Sequence, residues 1–427
     1  MSGGMIILLF LVLIATGLPI AVSMGVPAAI YLLVQGIPIS VMIQRMVASL
    51  NSFPLLAVPL FILAAGLMNN SGITSRLFEF AKLLVGRLKG GLAQVNIVAS
   101  LIFAGISGAA LADVGGLGNI EIDAMTEQNY PKDASAAITA ASAVVGPIFP
   151  PSIPLIIYGA AAETSSMRLL MAGVFPALII VALLMMQVSY FAHKRNYPRG
   201  VEGKFSRKEV LHTIRRGLPS MLMPVMLMGG MLSGYFSPTE VAAITVTYAL
   251  ILSAIYKELS WKEFLKVCRE TLRSTASVLF IVASAAIFAW TLTVEQLPQQ
   301  VSALLLNITE NPAVLLMLAN IVLLIAGMFL ETTAALMVLT PILLPPLMAA
   351  GVDPVHFGVV MVFNLMIGMI TPPVGMSVYM LSPVVKLPVG KIFRAVTPYL
   401  VTLAISLVIL TYIPQVSLWL PNLLFNN

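Results

Sequence analysis

Apolar residues fill most of two long stretches of the chain, 1–192 and 217–427, and a short polar stretch separates them. Within these stretches, the apolar runs approach the roughly 20 residues that an α-helix needs to cross the hydrocarbon core of a bilayer. Polar and apolar positions do not alternate with the two-residue period of a transmembrane β-strand. The pattern therefore predicts an all-α polytopic membrane protein.

The composition supports a membrane protein and argues against most soluble classes. Of the 427 residues, 59% are hydrophobic and 9% are charged, whereas soluble domains are about 45–50% apolar and about 25% charged. This balance excludes a disordered chain and a nucleic-acid-binding arm, so we expect contact with membrane lipid and none with nucleic acid. The only cysteine is Cys268, which leaves no disulfide framework and no thiolate metal site.

Two glycine- and proline-rich segments resemble each other position by position. The number of residues from Gly146 to Gly368, which separates them, is called the repeat spacing below. The segment 146–151 (GPIFPP) shares its glycine and its last two prolines with 368–373 (GMITPP), and Gly105 corresponds to Gly327 at the same spacing. Such self-similarity predicts two related halves. We expect five membrane crossings and one re-entrant helical hairpin in each half. Since five is odd, the second half should cross the membrane in the opposite orientation.

Each half is predicted to contain an amphipathic arm helix, a hairpin and a broken helix. The first inverted repeat is expected over 1–195, with its arm at 72–89, its hairpin at 92–126 and its broken helix at 133–163. A basic linker follows at 196–216. The second repeat is expected over 217–427, with an interfacial segment at 260–273, a separate span at 275–294, the arm at 298–308, the hairpin at 312–349 and the broken helix at 355–381.

Lysine and arginine are distributed unequally between corresponding segments of the two halves. Segment 76–89 carries four of these cations and its counterpart 298–311 carries none, while 194–216 carries eight and the C-terminal tail carries none. Cytoplasmic loops of membrane proteins are enriched in Lys and Arg. We therefore expect a cytoplasmic linker and periplasmic termini, in agreement with an inverted repeat.

The two proline-rich breaks are the first candidates for a binding site. Pro150, Pro151 and Pro154 cannot continue an α-helix, and an interrupted helix leaves backbone carbonyl groups that protein, water or an ion must satisfy. A hard cation such as sodium takes oxygen ligands of this kind. Simple kinking explains a single break, but two breaks at corresponding positions favour binding.

The predicted hairpin tips contain small and ionisable residues. Glu331 lies within apolar sequence, where an ionisable side chain indicates a functional role. Asp113 is either a helix cap or a site residue. Ala109 and Ala110 allow either close helix packing or close approach to an ion.

Other polar residues have structural interpretations. Glu121 is expected to face water at the cytoplasmic end of the first hairpin, together with Asp123 and Glu127. Ser237, Thr239 and Glu240 are expected to cap the helix that begins near residue 238. The three histidines lie far apart and form no metal-binding pattern, and the chain has no Walker motif for ATP.

Four segments resemble the large membrane subunit of tripartite ATP-independent periplasmic (TRAP) transporters. They are 105–113 (GISGAALAD), 144–159 (VVGPIFPPSIPLIIYG), 327–336 (GMFLETTAAL) with the following TPILLPP, and 368–379 (GMITPPVGMSVY). The stretch GGMLSGYFSPTEVAAI is similar to a further signature of these subunits. The resemblance extends over essentially the whole chain.

The resemblance implies an elevator-type ion transporter fold and sodium-coupled uptake of an organic acid anion, with sialic acid (N-acetylneuraminate) as the expected substrate. It implies a bacterial inner-membrane protein that is not an enzyme and uses no cofactor besides sodium as the coupling ion. Two partners are implied, namely a small four-helix membrane subunit and a periplasmic binding protein that delivers the anion.

The resemblance also assigns roles to individual residues. One sodium site is implied at Ser107, Gly146 and Ile148, and a second at Gly327, Gly368, Ile370 and Thr371. The substrate is expected near Ser152, Asp113 and Glu331. No residue is expected to be catalytic.

Other functions compatible with the sequence are a stand-alone sodium symporter for divalent anions such as dicarboxylates, an intramembrane enzyme and a channel. The symporter shares the architecture but needs no binding protein. An enzyme requires a catalytic pair within the spans, and the sequence shows none. Two symmetric hairpins favour alternating access over the continuous pore of a channel.

Overall fold

The computed structural model describes residues 2–108, 110–200 and 206–425; the side chains at 106, 107 and 111–113 lie outside this description. In these ranges the chain is helical and contains no strand, apart from one isolated backbone bridge between Lys89 and Arg199. The helices are α1 (Gly3–Ala15), α2 (Ile20–Val34), α3 (Ser40–Leu50), α4 (Ala57–Asn70), α5 (Ile73–Val85), α6 (Gly91–Ser107), α7 (Ala110–Glu127), α8 (Lys132–Ser142), α9 (Ile153–Ala161), α10 (Ser166–Ala172), α11 (Val174–Lys194), α12 (Arg207–Leu232), α13 (Pro238–Tyr256), α14 (Trp261–Val294), α15 (Leu297–Ile308), α16 (Pro312–Phe329), α17 (Thr332–Ala349), α18 (Pro354–Gly368), α19 (Met376–Val385), α20 (Val389–Tyr412) and α21 (Gln415–Phe425).

The prediction of an all-α, multi-pass membrane protein is confirmed. Among the described residues, seven helical segments are at least 18 residues long and apolar enough to cross a bilayer. Five of them overlap the crossings that the apolar runs predict at 53–68, 167–192, 238–256, 275–294 and 392–416, and the other two are α16 and α17 of the second hairpin. The remaining expected crossings are shorter or divided; α1, for example, has 13 residues and is followed by a turn at Gly17, whose φ is +85°.

The helix boundaries of the two halves recur at the repeat spacing. Helix α17 begins and ends at the positions that correspond to the first and last residues of α7, and α16 corresponds to α6 to within one residue. The prediction of separate segments at 260–273 and 275–294 is wrong, because both belong to the continuous helix α14. Its counterpart in the first half is divided into α3 and α4 by a 3-10 turn containing Pro54, which lacks a backbone N–H for a continuous helix.

The hairpins and the broken helices form the centre of the molecule. The first hairpin, α6–α7, packs on α8, and the second, α16–α17, packs on α18. Each hairpin also contacts the second part of the other half's broken helix, α7 against α19 and α17 against α9. Helix α18 is buried from Val355 to Gly368, whereas α3 at the periphery has no buried residue.

The remaining helices join the two halves around this centre. Helix α13 packs against α4, α14 packs against α2, α3 and α4, and α12 packs against the arm α5. Each arm also contacts its own hairpin, α5 against α6 and α15 against α17. The expected cap of α13 is confirmed, since Ser237 and Glu240 form a capping box. Thr239 does not cap this helix, because its hydroxyl donates to the carbonyl of Phe53 at 3.0 Å.

Contacts between loops agree with the distribution of cations. The arm and the basic linker touch through the Lys89–Arg199 bridge, and the arm also forms an ion pair of 2.6 Å between Arg76 and Glu258, which lies just before a segment, 260–273, that carries four Lys and Arg residues. Arg168 donates a hydrogen bond of 3.0 Å to the amide oxygen of Asn422 in the C-terminal tail, which is expected on the periplasmic side.

Candidate ion and substrate site

Both predicted helix breaks are present. In the first half, α8 gives way to a 3-10 turn at Ala143–Val145 and α9 begins at Ile153. In the second half, the chain is non-helical between the end of α18 and the start of α19. The peptide bonds Pro150–Pro151 and Pro372–Pro373 are both cis. The first segment is almost entirely buried, whereas Pro372 and Pro373 of the second are exposed.

The tip of the first hairpin meets the first break through backbone atoms. Gly108 ends α6 with a φ of +60°, a conformation that glycine adopts most easily. Its carbonyl oxygen accepts a hydrogen bond of 3.3 Å from the N–H of Ile153. A β-carbon at Gly108 would overlap the carbonyl oxygen of Pro151. Only glycine fits this contact without displacing the break.

The tip of the second hairpin also meets the second break through backbone atoms. A β-carbon on Gly368 would lie 2.7 Å from the α-carbon of Gly327, and one on Gly327 would lie 3.0 Å from the carbonyl oxygen of Leu365. Both distances are shorter than ordinary van der Waals contact, so two glycines allow α16 and α18 to touch backbone to backbone. The structure thus brings together Gly327 and Gly368, which the resemblance assigns to one sodium site.

Ile370 and Thr371 continue the chain at the same break. The N–H of Thr371 donates to the carbonyl of Gly368 at 3.0 Å, and its hydroxyl donates to the carbonyl of Ile367 at 2.7 Å. The hydroxyl oxygen retains lone pairs after donating its hydrogen. Carbonyl and hydroxyl oxygens are the donor set that a hard monovalent cation takes, so these residues fit the predicted sodium site.

Glu331 is the N-cap of α17, immediately after the second hairpin tip. Its carboxylate accepts hydrogen bonds from the hydroxyl of Thr333 at 3.1 Å and from the N–H of Ala334 at 3.3 Å. The neighbouring Thr332 donates to the sulfur of Met369 at 3.2 Å, which places the start of α17 against the second break. Glu331 is half-buried, so its carboxyl group lies close to the second break.

The other predicted site residues belong to the first half, and the structure describes only some of their side chains. Gly146 and Ile148 lie in the first break, where the carbonyl oxygen of Ile148 abuts Gly173 at the start of α11. The buried hydroxyl of Ser152 donates to the carbonyl of Pro147 and accepts the N–H of Leu155, so it caps α9. The side chains of Ser107 and Asp113, and residue Ala109, lie outside the described part of the structure.

A buried polar network lies between α6, α7 and α8, and sequence analysis missed it. The prediction that Glu121 faces water is wrong, since this residue is only 1% exposed. The amide of Asn96 donates to Glu121 at 2.8 Å and to the hydroxyl of Thr139 at 2.7 Å. Its amide oxygen accepts from Ser142 at 2.7 Å, and Ser100 donates to Ser142 at 3.0 Å. The available signal was the occurrence of Asn, Ser and Thr at helical spacing in apolar sequence.

A second buried network lies between α16, α18 and α20. Asn364 donates to the side-chain oxygen of Asn320 at 2.8 Å, and Asn320 donates to Thr411 at 2.9 Å. His356 contacts Ser417 and the carbonyl of Thr411 through its two ring nitrogens. In the described part of the chain no group of three or more His, Cys, Asp and Glu residues could hold a metal ion.

Comparison with known proteins assigns the family. The model of the family "Tripartite ATP-independent periplasmic transporter, DctM component" matches residues 7–416. The Vibrio cholerae protein "Sialic acid TRAP transporter large permease protein SiaM" is 43% identical over 413 residues, which cover 96% of this chain and 96% of that protein. The Pseudomonas aeruginosa protein "C4-dicarboxylate TRAP transporter large permease protein DctM" is 39% identical, covering 87% of this chain and 86% of that protein.

Two further similarities concern a longer permease and a solved structure. The "Sialic acid TRAP transporter permease protein SiaT" of Haemophilus influenzae is 37% identical over 98% of this chain and 68% of its own length. The crystal structure of the YdaH transporter of Alcanivorax borkumensis superposes with a TM-score of 0.65, at 18% identity, over 87% of this chain and 88% of that one. At this identity the structural likeness concerns the fold alone.

Proposed function

This chain belongs to the DctM component family of TRAP transporters, and we propose that it carries out sodium-coupled uptake of an organic acid anion, with sialic acid as the favoured substrate. Among the relatives whose names include a substrate, two are permeases for sialic acid and two for C4-dicarboxylates, and others are for 2,3-diketo-L-gulonate and isethionate. The sequence identity of 43% to the Vibrio cholerae sialic acid permease favours sialic acid.

The observation that carries the proposal is the meeting of a hairpin tip with a helix break in each half. Gly108 contacts the first break at Pro151 and Ile153, and Gly327 contacts the second at Gly368. Substrate and ion sites of secondary transporters lie at interrupted helices of this kind. A sodium ion held between tip and break supplies positive charge at that point. An anion can then bind beside Glu331, whose carboxylate otherwise repels it.

The packing supports an elevator mechanism. The hairpins and the broken helices form one central body, which is the proposed transport domain. The contacts of α12, α13 and α14 with α2–α5 form the proposed scaffold around it. Sodium and anion bound at the tips would move with the central body across the membrane while the scaffold stays in place.

We further propose the orientation and the partners. The two halves are inverted repeats in the bacterial inner membrane, with the linker 196–216 cytoplasmic and both termini periplasmic, as the cation distribution indicates. A small four-helix membrane subunit docks on the scaffold, and a periplasmic binding protein delivers the anion to the central body.

Uptake by proteoliposomes tests the proposal. Vesicles containing this chain and its small membrane subunit receive labelled sialic acid on its purified binding protein, with or without an inward sodium gradient. We expect accumulation only when both the gradient and the binding protein are present. Equal uptake without the gradient would reject sodium coupling. Full uptake by this chain alone, without a binding protein, would favour a stand-alone symporter.

A C4-dicarboxylate is the alternative substrate, because a permease for that class is 39% identical to this chain. The same vesicles distinguish the two substrates. Succinate and sialic acid are each supplied with a binding protein loaded with that ligand. Accumulation of succinate without accumulation of sialic acid would establish the alternative.

A further inference from the structure

We propose that the buried network of Asn96, Ser100, Glu121, Thr139 and Ser142 is a positioning element that holds the first hairpin tip on the first break. Its five members are each at most 1% exposed. The inference rests on the proposed function, because it assigns these residues to the geometry of the first sodium site rather than to contact with the ion.

The network has the form of a ladder with two rungs. Asn96 and Ser100 are four residues apart on one face of α6, and Thr139 and Ser142 are three residues apart on one face of α8. Asn96 binds Thr139 in the lower rung, and Ser100 binds Ser142 in the upper one. The hydrogen bond from Ser142 to the Asn96 amide oxygen connects the rungs.

Glu121 connects the ladder to the second helix of the hairpin. Its carboxylate accepts the Asn96 amide hydrogen at 2.8 Å, so one asparagine joins α6, α7 and α8. A hydrogen bond to a charged group in a low-dielectric interior is stronger than a neutral one. Rotation or sliding of α6 against α8 must therefore break several buried bonds at once.

The ladder lies close to the tip and to the break. Ser142 is the last residue of α8, four residues before Gly146. Ser100 precedes Gly108 by eight residues, which is about 12 Å along α6. Between Gly108 and Ile153 the tip contact itself consists of one backbone hydrogen bond of 3.3 Å. The ladder therefore fixes the position of α6 along α8, and with it the position of Gly108 relative to the first break.

The second half lacks most of this ladder. At the repeat spacing, Asn96, Ser100, Glu121 and Thr139 correspond to Leu318, Val322, Leu343 and Met361. There the direct backbone contact between Gly327 and Gly368 is joined by a smaller side-chain link, in which Asn364, the counterpart of Ser142, donates to Asn320. The buried side-chain network is therefore more extensive in the first half than in the second.

A pair of substitutions separates positioning from simple stabilisation. Asn96→Leu introduces the residue of the second half but leaves the Glu121 carboxylate without its amide donor, which destabilises a buried group. The double variant with Asn96→Leu and Glu121→Leu removes the amide and the carboxyl group together, so that no buried carboxyl group loses the Asn96 donor, although Thr139 and Ser142 still lose their hydrogen bonds to Asn96. Gln94→Leu is the matched control, since Gln94 is a buried amide on α6 that binds Met185 and Ser189 of α11.

We expect the double variant to melt at a higher temperature than Asn96→Leu alone and to need about five to ten times more sodium than wild type for half-maximal uptake. Peptides spanning 146–155 should exchange amide hydrogen faster than in wild type, because the hydrogen bond between Gly108 and Ile153 opens more often. Gln94→Leu should change neither the half-saturating sodium concentration nor the rate of hydrogen exchange at 146–155. Ser100→Ala, a milder change, should raise the half-saturating sodium concentration about two-fold.

The outcomes distinguish the positioning role of the network from the proposed sodium-coupled transport. Wild-type exchange at 146–155 and wild-type sodium dependence in a folded double variant would overturn the positioning role. The same result in Ser100→Ala would overturn it if the double variant does not fold. Sodium-independent uptake by the wild-type protein would refute the proposed function, while faster exchange in the double variant would still support the positioning of the tip.

Discussion

Gly327 and Gly368 lie backbone to backbone, with so little space that a β-carbon on Gly368 would be 2.5 Å from the carbonyl carbon of Gly327. Gly327 is in the last turns of α16, and Gly368 is the last residue of α18. Helix α18 is buried on all sides at this point, so its backbone has little room to move away from α16. The contact connects the second hairpin tip to the point where the broken helix ends.

We expect Gly368→Val to reduce uptake by at least about ten-fold, because overpacking a tight contact costs about 1–3 kcal/mol and separates the tip from the break. Gly229→Val on α12 is the matched control, since a β-carbon there meets nothing within 4 Å. Both variants are compared in proteoliposomes at equal protein density. Uptake by Gly368→Val at the wild-type rate would show that the contact is dispensable.

Thr371→Ala should weaken the sodium dependence without abolishing transport. The substitution removes one hydroxyl oxygen from the second break but leaves every backbone carbonyl. We expect the half-saturating sodium concentration to rise about three- to ten-fold, as for the loss of one polar interaction. Thr397→Ala is the control, because its hydroxyl makes a similar bond, 3.0 Å to the carbonyl of Phe393, on the exposed side of α20. Equal sodium curves for both variants would place the ion elsewhere.

Sequence reasoning predicted the parts of the fold that depend on backbone chemistry. The paired prolines located both breaks, and the repeat spacing anticipated the recurrence of helix ends in α7 and α17. Sequence reasoning failed where the environment of a residue depends on side-chain contacts between helices. Glu121 looked like a solvated residue because its charge was considered alone, whereas Asn96 and Thr139 become its neighbours only when α6 and α8 fold together.

The linker should be cytoplasmic and the C-terminal tail periplasmic. In a background with Cys268→Ser, which removes the only cysteine, we introduce Lys208→Cys or Asn422→Cys, both at exposed positions. A membrane-impermeant maleimide added to intact spheroplasts should label Asn422→Cys and spare Lys208→Cys. After lysis both should react. Labelling of only Lys208→Cys from outside would invert the proposed topology.

Arg76 should stabilise the arm more than an ordinary surface cation does. Its guanidinium binds Glu258 and the carbonyl of Gly72, and it lies 3.8 Å from the centre of the Tyr256 ring. We expect Arg76→Ala to lower the melting temperature in detergent by a few degrees, or about 1–2 kcal/mol. Lys266→Ala, which removes an exposed ion pair with Glu270, should have no measurable effect.

The contribution of this ion pair should also depend on pH. The hydrogen bond from Arg76 lowers the pKa of Glu258. A group with a lowered pKa stabilises the folded state above its ordinary pKa, and this stabilisation is lost as the pH falls through the lowered value. The difference in melting temperature between wild type and Glu258→Gln should therefore be constant near pH 7 and shrink in acid. A difference that grows in acid would contradict this assignment.

Glu331→Gln should reduce the effect of sodium on substrate affinity. The amide oxygen can still accept the N–H of Ala334 and cap α17, so the change removes charge and keeps the helix start. If sodium acts by offsetting the carboxylate, the neutral variant needs sodium less, and the anion should bind more tightly than to wild type at low sodium. By linkage, sialic acid should then also raise the affinity for sodium less than it does in wild type.

Equilibrium binding of labelled sialic acid at low and saturating sodium measures this coupling directly. For wild type we expect a ratio of affinities within about 5–150-fold, the usual range of such couplings, and a clearly smaller ratio for Glu331→Gln. Glu240→Gln is the matched control, because it also neutralises a carboxylate at a helix start but lies in the exposed capping box of α13. An unchanged ratio in Glu331→Gln would mean that the sodium ions act on the hairpin tips through their geometry and not through the charge of this residue.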